Sequence, residues 1–338
     1  MDPIEALETE LSEPTPEVIA TTSRLPGDVI VLGAGGKMGP SLVRQLIRAS
    51  EMSGGRRTIT AVALFRDPSL RRSLDSVGAR TIAADLLDFS NILSLPDADN
   101  VIYMVGQKFG TTGDSARTWA INAAIPGFVA ARYPAARIVV FSTGNVYPLW
   151  PTNTAGPSED DPTGPVGDYA LSALARERIF HHFAERARTP LAILRLNYAI
   201  EPRYGVLREI ADRVWAGAPI DLTMGFVNVI WQRDASAIAI RAMEHCSVPP
   251  LMLNLTGRPA VSVRSLAKAF GDRFGRPPIF AGAEADTALL SNAERCERLF
   301  GPAPTSLAAM IGRVAAWVET GGSSLGKPTK FQERAGAF

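Results

Sequence analysis

Apolar and polar positions along this chain form two alternating patterns. Apolar runs of strand length occur at DVIVLG (28–33), TITAVALF (58–65), ARTIAAD (79–85), NVIYMVG (100–106), RIVVFST (137–143) and LAILRLN (191–197). Runs that are apolar at nearly every position are typical of strands covered on both faces, which favours parallel pairing. The sequence therefore predicts a buried, largely parallel sheet.

Amphipathic stretches separate these runs. Met38, Leu42, Leu46 and Ile47 recur at helical spacing after the first run, and a similar set between 171 and 183 precedes the last. Regular succession of strand and helix implies right-handed crossovers and an α/β fold with a Rossmann-type doubly wound parallel sheet. We predict that residues 26–197 form a nucleotide-binding domain.

The alternation fades from residue 198, where shorter segments rich in Pro and Gly begin. Helical spacing at 206–216, 235–245 and 305–319 predicts a smaller C-terminal lobe over 198–320 that selects the substrate. Residues 1–25 read as an acidic leader, and the polar, Gly-rich segment 321–338 as a mobile or surface-draped tail.

Composition excludes several classes of protein. The 338 residues carry 35 Lys and Arg against 34 Asp and Glu, a net charge of +1, so a nucleic-acid-coating surface is not expected. No apolar run approaches the roughly 20 residues of a membrane span, and the N-terminus does not resemble a signal peptide. The two cysteines, Cys246 and Cys296, have no metal-ligand spacing. We expect a cytoplasmic protein without metal, membrane or nucleic-acid partners.

A glycine loop follows the first strand. Gly33, Gly36 and Gly39 in VLGAGGKMG stand between that strand and the first amphipathic helix. Glycine allows a tight turn and close approach of a pyrophosphate, which the helix N-terminus then attracts. The pattern predicts dinucleotide binding; a purely structural turn is the alternative.

Charge after the second strand bears on which dinucleotide is bound. Arg66 comes first there and Asp67 second, and Lys37 adds a positive charge in the glycine loop. Both cations suit the 2′-phosphate of NADP(H), so we predict NADP(H) over NAD(H). In the alternative, Arg66 is a solvated turn residue and Asp67 accepts from the ribose of NAD. Asp85, after the third strand, is either an adenine contact or a helix cap.

Further motifs stand in a consistent order: FSTGNVYP (141–148), DYALSALARE (168–177), ILRLNYAIEPR (193–203) and the series from LNLTGRPAVSV to SNAERCERLFG. With GAGGKMG, and with NVIYMVG followed by Asn122, they resemble the extended short-chain dehydrogenases/reductases, the NAD(P)-dependent epimerase/dehydratase family, over roughly residues 26–320. The resemblance implies a small-molecule substrate and a homodimer built on the helices around Tyr169. It also implies a set of cofactor contacts, which are Gly33, Gly36, Lys37, Met38, Gly39, Arg66, Asp85, Leu86, Val105 and Gly106.

The same resemblance assigns catalytic roles. Thr143 and Tyr169 match the pair that polarises the substrate oxygen, but the lysine four residues after the tyrosine is Ala173. An unperturbed tyrosine titrates near ~10 and is a poor base at neutral pH without a nearby cation. Lys108, in the loop after the fourth strand, is our candidate replacement; the alternative is a solvated loop lysine. Arg176 shares roughly the helix face of Tyr169 but stands two turns away.

Other departures concern the substrate. Gly144 and Asn145 replace the Asp-Glu pair of family dehydratases, which disfavours dehydration. We expect Asn145, Tyr198, Arg203 and Arg233 to contact the substrate, the two arginines through an anionic group. The sequence predicts an NADP(H)-dependent oxidoreductase or epimerase acting on a hydroxyl or keto carbon of a sugar, sugar acid or polyol. A non-catalytic NAD(P)-binding regulator or scaffold, and a redox-neutral lyase or isomerase, are the alternatives.

Overall fold

The computed structural model describes residues 2–108, 110 and 113–338. The helices are α1 (Pro3–Leu11), α2 (Pro16–Arg24), α3 (Gly39–Met52), α4 (Pro68–Asp75), α5 (Phe89–Ser94), α6 (Ser115–Trp119), α7 (Ile125–Arg132), α8 (Gly167–Ala187), α9 (Val206–Ala216), α10 (Gln232–Arg241), α11 (Val263–Phe274), α12 (Glu294–Phe300) and α13 (Leu307–Glu319). A π-helical turn, Ala120–Ala124, joins α6 to α7.

The strands are β1 (Val29–Leu32), β2 (Ile59–Ala63), β3 (Arg80–Ala83), β4 (Asn100–Tyr103), β5 (Arg137–Thr143), β6 (Trp150–Pro151), β7 (Leu191–Leu196), β8 (Ala199–Ile200), β9 (Pro219–Asp221), β10 (Phe226–Val227), β11 (Ile230–Trp231), β12 (Leu251–Leu255), β13 (Val261–Ser262), β14 (Ile279–Ala281) and β15 (Thr287–Ala288).

Seven strands form the main sheet in the order β12-β7-β5-β4-β1-β2-β3. The pairs β1–β2, β1–β4, β2–β3 and β4–β5 are parallel. Each of the six apolar runs of the sequence supplies a strand, and β12 is a seventh that the sequence reading missed. The order reverses between β1 and β4, as in a doubly wound sheet, so the predicted Rossmann-type α/β fold is confirmed.

Burial on both faces explains why these runs are continuously apolar. Every residue of β1, β2 and β4 is buried. Alternate residues point to opposite faces, so Ile30, Leu32, Val101 and Tyr103 share a face. That face packs on side chains from α5, α7 and α8, which include Ile92, Val129 and Phe180.

The segment predicted as an acidic leader is a pair of helices. Asp2 and Thr15 cap α1 and α2 with their side chains. Both helices pack against α3, where the side chains of Gln45 and Arg48 donate to backbone carbonyls at 3.0 and 2.8 Å. Arg24 at the end of α2 donates twice to Glu244, each time at 2.7 Å. Through these contacts the N-terminal segment packs against α3 and is paired with Glu244.

The chain forms two compact units that interleave in sequence. The first comprises residues 1–142, 168–194 and 236–252, and the second comprises 143–167, 195–235 and 253–338. Neither unit is a single continuous range. The division into a dinucleotide-binding domain at 26–197 and a substrate lobe at 198–320 stays a prediction.

The second unit contains short two-stranded pairings and the helices α9, α11, α12 and α13. The C-terminal segment packs within it, because Phe331 is fully buried and Phe338 is 5% exposed. Arg334 donates to the backbone and side-chain oxygens of Thr287 at 2.8 and 2.7 Å. Among the described residues, no helix combines the length and apolar character needed to cross a membrane.

Candidate active site

The glycine loop lies between β1 and α3, and two of its glycines have no room for a side chain. Gly33 has φ +89°, and a Cβ on it would lie 2.8 Å from the backbone of Met104 and Val105. A Cβ on Gly39 would collide with the carbonyl oxygen of Ala34. The loop is therefore folded tightly against the exit of β4 and against its own first turn.

The third glycine has a different role. Gly36 is exposed, and a Cβ on it would meet its neighbours at an ordinary 3.4 Å. Met38 is the N-cap residue of α3, and within the described chain no side chain caps this helix end. Exposed glycine backbone beside an uncapped helix N-terminus is a surface that fits a pyrophosphate.

The end of β2 carries the charges that bear on the choice of dinucleotide. Phe65 stands there with φ +43°, followed by the exposed Arg66. Asp67 is the N-cap of α4, where its carboxylate accepts from the backbone N–H of Ser69 at 2.8 Å. Hydrogen bonds from Ser69 lower the pKa of Asp67. Asp67 therefore has a structural role as a helix cap, made through one of its two carboxylate oxygens.

The turn after β3 contains two more predicted cofactor residues. Asp85 is exposed, and its carboxylate accepts from the backbone N–H of Leu87 at 3.0 Å. Leu86 is 6% exposed and belongs to the apolar cluster of the sheet. Any contact of Leu86 with a cofactor would therefore be made by its backbone.

A cation lies beside the predicted catalytic tyrosine. Lys108 follows β4, and Tyr169 lies in the first turn of α8. The Lys108 Nζ atom is 5.8 Å from the centroid of the Tyr169 ring, within the range of a cation–π contact. Ala173, where the resemblance expects a lysine, is fully buried. The structure thus brings together two of the predicted catalytic residues, Lys108 and Tyr169.

Two predicted site residues of the second unit, Thr143 and Asn145, contact each other. The Thr143 Oγ1 accepts from the backbone N–H of Asn145 at 3.2 Å. Asn145 is 7% exposed, yet its Oδ1 has no hydrogen-bond partner in the described part of the chain. A buried acceptor without a donor is costly, and a bound hydroxyl group would relieve that cost.

The remaining predicted substrate residues differ in their surroundings. Tyr198 has φ +47°, an uncommon conformation for this residue type. The Arg203 guanidinium is paired at 3.0 Å with the buried Glu201 carboxylate. Arg233 is 3.5 Å from the buried carboxylate of Asp234, which also accepts from the backbone of Thr305. An anion approaching either arginine would have to compete with these carboxylates.

Comparison with known proteins identifies the fold family. Residues 29–220 match the family model described as the NAD dependent epimerase/dehydratase family. The chain belongs to this family. A search of curated proteins gave no significant match to this epimerase-family protein.

Solved structures resemble it over most of its length. The UDP-glucuronic acid 4-epimerase of Bacillus cereus, in complex with UDP-glucuronic acid and NAD, is 17% identical with a TM-score of 0.71, covering 87% of this chain and 99% of that one. WbmG of Bordetella bronchiseptica, in complex with NAD and UDP, is 21% identical with a TM-score of 0.71, covering 89% and 96%. MoeE5, in complex with UDP-glucose and NAD, is 20% identical with a TM-score of 0.69, covering 87% and 99%. At these identities the similarity establishes the fold.

Sequence reasoning missed one buried polar cluster beside the tyrosine. It consists of Asn122, Ser172 and Arg176, which are 0, 0 and 5% exposed. Asn122 was noted only as a motif residue, and Arg176 only for its helix face. A polar residue inside a helix that is otherwise apolar, as in AINAAI (120–125), is the signal that would have pointed to it.

Two glycine substitutions test the geometry of the loop. We expect Gly39→Ala to lower the thermal unfolding midpoint by several degrees, because its Cβ would collide with the Ala34 carbonyl. Gly36→Ala should unfold close to the wild-type temperature, because its Cβ meets only an ordinary contact. Calorimetry on both variants is the measurement, and equal midpoints for the two would contradict this account.

Proposed function

We propose that this protein is a nicotinamide-dinucleotide-dependent oxidoreductase or epimerase that acts on a hydroxyl or keto carbon of a sugar, sugar acid or polyol-like substrate. The observation that carries the proposal is the Lys108 ammonium group beside the Tyr169 ring, on a chain of this family that lacks a lysine at position 173. A cation retained next to this tyrosine is what proton transfer at the substrate oxygen requires.

The glycine loop fits the dinucleotide. Gly33 and Gly39 allow the tight turn, and the exposed Gly36, which has no side chain, lets a phosphate approach the N-terminus of α3, whose dipole attracts it. When the dinucleotide is bound, its nicotinamide would supply reversible hydride transfer. Lys37 in the loop adds positive charge.

The chain's own residues handle the substrate oxygen. In the proposed mechanism, Thr143 and Tyr169 hydrogen-bond this oxygen, as the family resemblance implies, and Tyr169 gives or takes its proton. A cation over the ring stabilises the tyrosinate relative to the phenol, so Lys108 favours the basic form. Lys108 thereby takes over one of the two roles of the missing lysine. The other, holding the nicotinamide ribose, is not assigned by this contact.

Residues of the second unit bear on the class of substrate. The orphaned Oδ1 of Asn145 suits a hydroxyl donor, and an amide lacks the basicity that the acid of a dehydratase supplies. Structures similar to this chain hold UDP-glucose or UDP-glucuronic acid. A sugar or sugar acid, free or attached to a nucleotide, is therefore the class to test first.

A second candidate function is a dinucleotide-binding regulator or scaffold without hydride chemistry. The buried Ala173 favours this function, because no cation stands at position 173, next to Tyr169 on the same face of the helix. The two functions differ in one observable. Only the enzyme oxidises NADPH or NADH in a substrate-dependent way when tested with keto sugars and UDP-sugars.

Cofactor preference is our first prediction here. NADPH should bind more tightly than NADH, and Arg66→Ala should weaken NADPH binding about tenfold or more while leaving NADH unchanged, because a charge-assisted bond to the 2′-phosphate is lost. Fluorescence titration measures both constants. Arg72→Ala, which removes another exposed cation from the following helix, is the matched control. Tighter binding of NADH by the wild-type protein would overturn the NADP(H) assignment.

Catalysis provides a second prediction. With an active hydroxyl substrate and the oxidised dinucleotide, where Tyr169 acts as the base, Tyr169→Phe should abolish turnover, and Lys108→Met should lower kcat about tenfold or more near neutral pH. The loss should shrink as pH rises, because the tyrosinate then forms without help. Stopped-flow measurement of dinucleotide absorbance gives these rates. The exposed Lys268→Met variant is the control, and a Lys108→Met profile identical to wild type would exclude the proposed role.

Homodimer formation is a third prediction. Exposed apolar side chains occur on α7 and α8: Leu171 on α8 is 44% exposed and Phe128 on α7 is 38% exposed, its ring 4.7 Å from that of Phe89. We propose that a second copy covers this surface, because large exposed apolar groups mark interfaces. Sedimentation equilibrium should show a dimer that Phe128→Glu dissociates. Met52→Glu, at another exposed apolar position, should leave the mass unchanged.

A further inference from the structure

The side chain of Asn122 forms hydrogen bonds with the backbone of Gln107, the residue that precedes Lys108. Asn122 lies in the π-helical turn Ala120–Ala124. Its Oδ1 accepts from the Gln107 backbone N–H at 2.9 Å, and its Nδ2 donates to the Gln107 carbonyl at 2.9 Å. The amide thus pairs with Gln107 as a neighbouring strand would, where no strand is available.

Two further contacts fix which way this amide faces. Arg176 Nη2 donates to Asn122 Oδ1 at 2.8 Å, and Asn122 Nδ2 donates to Ser172 Oγ at 3.0 Å. The Ser172 hydroxyl in turn donates to the carbonyl of Tyr169 at 3.0 Å. Arginine has only donors, so a flipped amide would set N–H against N–H. The guanidinium therefore selects the orientation that can hold Gln107.

Arg176 also spans two strand exits. Its Nη1 donates to the Phe141 carbonyl at 2.9 Å, and a Cβ on Gly106 would lie 2.8 Å from its Nη2. The adjacent acid, Glu177, instead accepts from Ser142 at 2.6 Å. In the part of the chain that is described, no carboxylate pairs with Arg176. Its guanidinium is instead held by an amide, a carbonyl and the face of the Tyr103 ring, whose centroid is 5.9 Å away, and burying a charge without a carboxylate partner is costly.

We propose that Arg176 is a positioning residue for the reaction: its forked guanidinium locks Asn122 onto Gln107 and so keeps the next residue, Lys108, beside Tyr169. The inference rests on the proposed role of Lys108. The arginine reaches no reacting atom itself. It acts through the loop that carries Lys108. Ser172 connects the same hydrogen-bond network to the backbone of Tyr169, so one network positions both the cation and the ring.

The pH at which Tyr169 ionises tests this without any substrate. It is obtained from tyrosinate absorbance as the difference between each protein and its Tyr169→Phe counterpart. Lys108→Met should reduce the acid dissociation constant of Tyr169 roughly tenfold. Arg176→Met should reduce it similarly, and so should Arg176→Lys, because lysine keeps the charge but not the fork. Arg178→Met, which removes an exposed charge from the same helix, should change nothing.

The double variant decides how Arg176 acts. If it works through Lys108, then Lys108→Met with Arg176→Met should titrate like Lys108→Met alone. Additive effects, or a normal titration in Arg176→Lys, would show that the arginine acts by its own charge and would overturn the proposal. An unchanged titration in Arg176→Met would overturn it as well. Should Arg176→Met fail to fold, Arg176→Lys and Asn122→Ser break the same contacts with less change of volume.

This readout separates two failures. If Lys108→Met leaves the Tyr169 titration unchanged, the proposed catalytic role of Lys108 fails, and the proposed role of Arg176 fails with it. If Lys108→Met shifts the titration and Arg176→Met does not, only the inference about Arg176 is wrong. Absence of turnover with every sugar tested would bear on the proposed function alone, because the titration needs no substrate.

Discussion

Burial of the central strands on both faces is the constraint on which the rest of this structure depends. Strands covered on both sides pair in parallel, and parallel strands end at the same edge of the sheet. The carboxyl ends of β1, β2 and β4 are therefore neighbours. Each is followed by predicted cofactor-binding or catalytic residues, which are the glycine loop after β1, Arg66 after β2 and Lys108 after β4. The same close packing of strands requires glycine at position 33, because the backbone after β4 lies so close to Gly33 that no Cβ fits between them.

The cation beside Tyr169 comes from a loop and not from the helix that carries the tyrosine. A lysine on α8 would share a face with Tyr169, but Ala173 is buried there and has no charge. Instead, Lys108 approaches the ring from the loop after β4. A loop is less rigid than a helix, so a cation supplied this way needs support. The backbone of Gln107 receives it from Asn122, and Asn122 from Arg176. In the role proposed for Arg176, these contacts between the exit of β4, the π-helical turn and α8 keep a single charge in place.

The segments outside the match to the family model add packing around this core. The helices α1 and α2 cover α3, the helix that begins at the glycine loop, and Arg24 ties them to Glu244. At the other end of the chain, Phe331 and Arg334 pack the C-terminal segment into the second unit. The sequence analysis interpreted the first segment as an acidic leader and the second as a mobile or surface-draped tail.

The sequence alone determined the α/β class, six of the seven strands of the main sheet, the glycine loop and the family resemblance. These features follow from local periodicity and from residues adjacent in the chain. Tertiary structure decided what depends on distant segments meeting. The strand β12 is short and lies where the alternation had faded, so only its pairing reveals it. Asp67, the alternative contact for the ribose of NAD, also caps α4 through its bond to Ser69. Arg176, Asn122 and Gln107 lie up to 69 positions apart in the printed sequence, and no pattern along the chain connects them. Their shared buried network exists because the sheet brings the exit of β4, the π-helical turn and α8 together, and only there does the arginine acquire a partner.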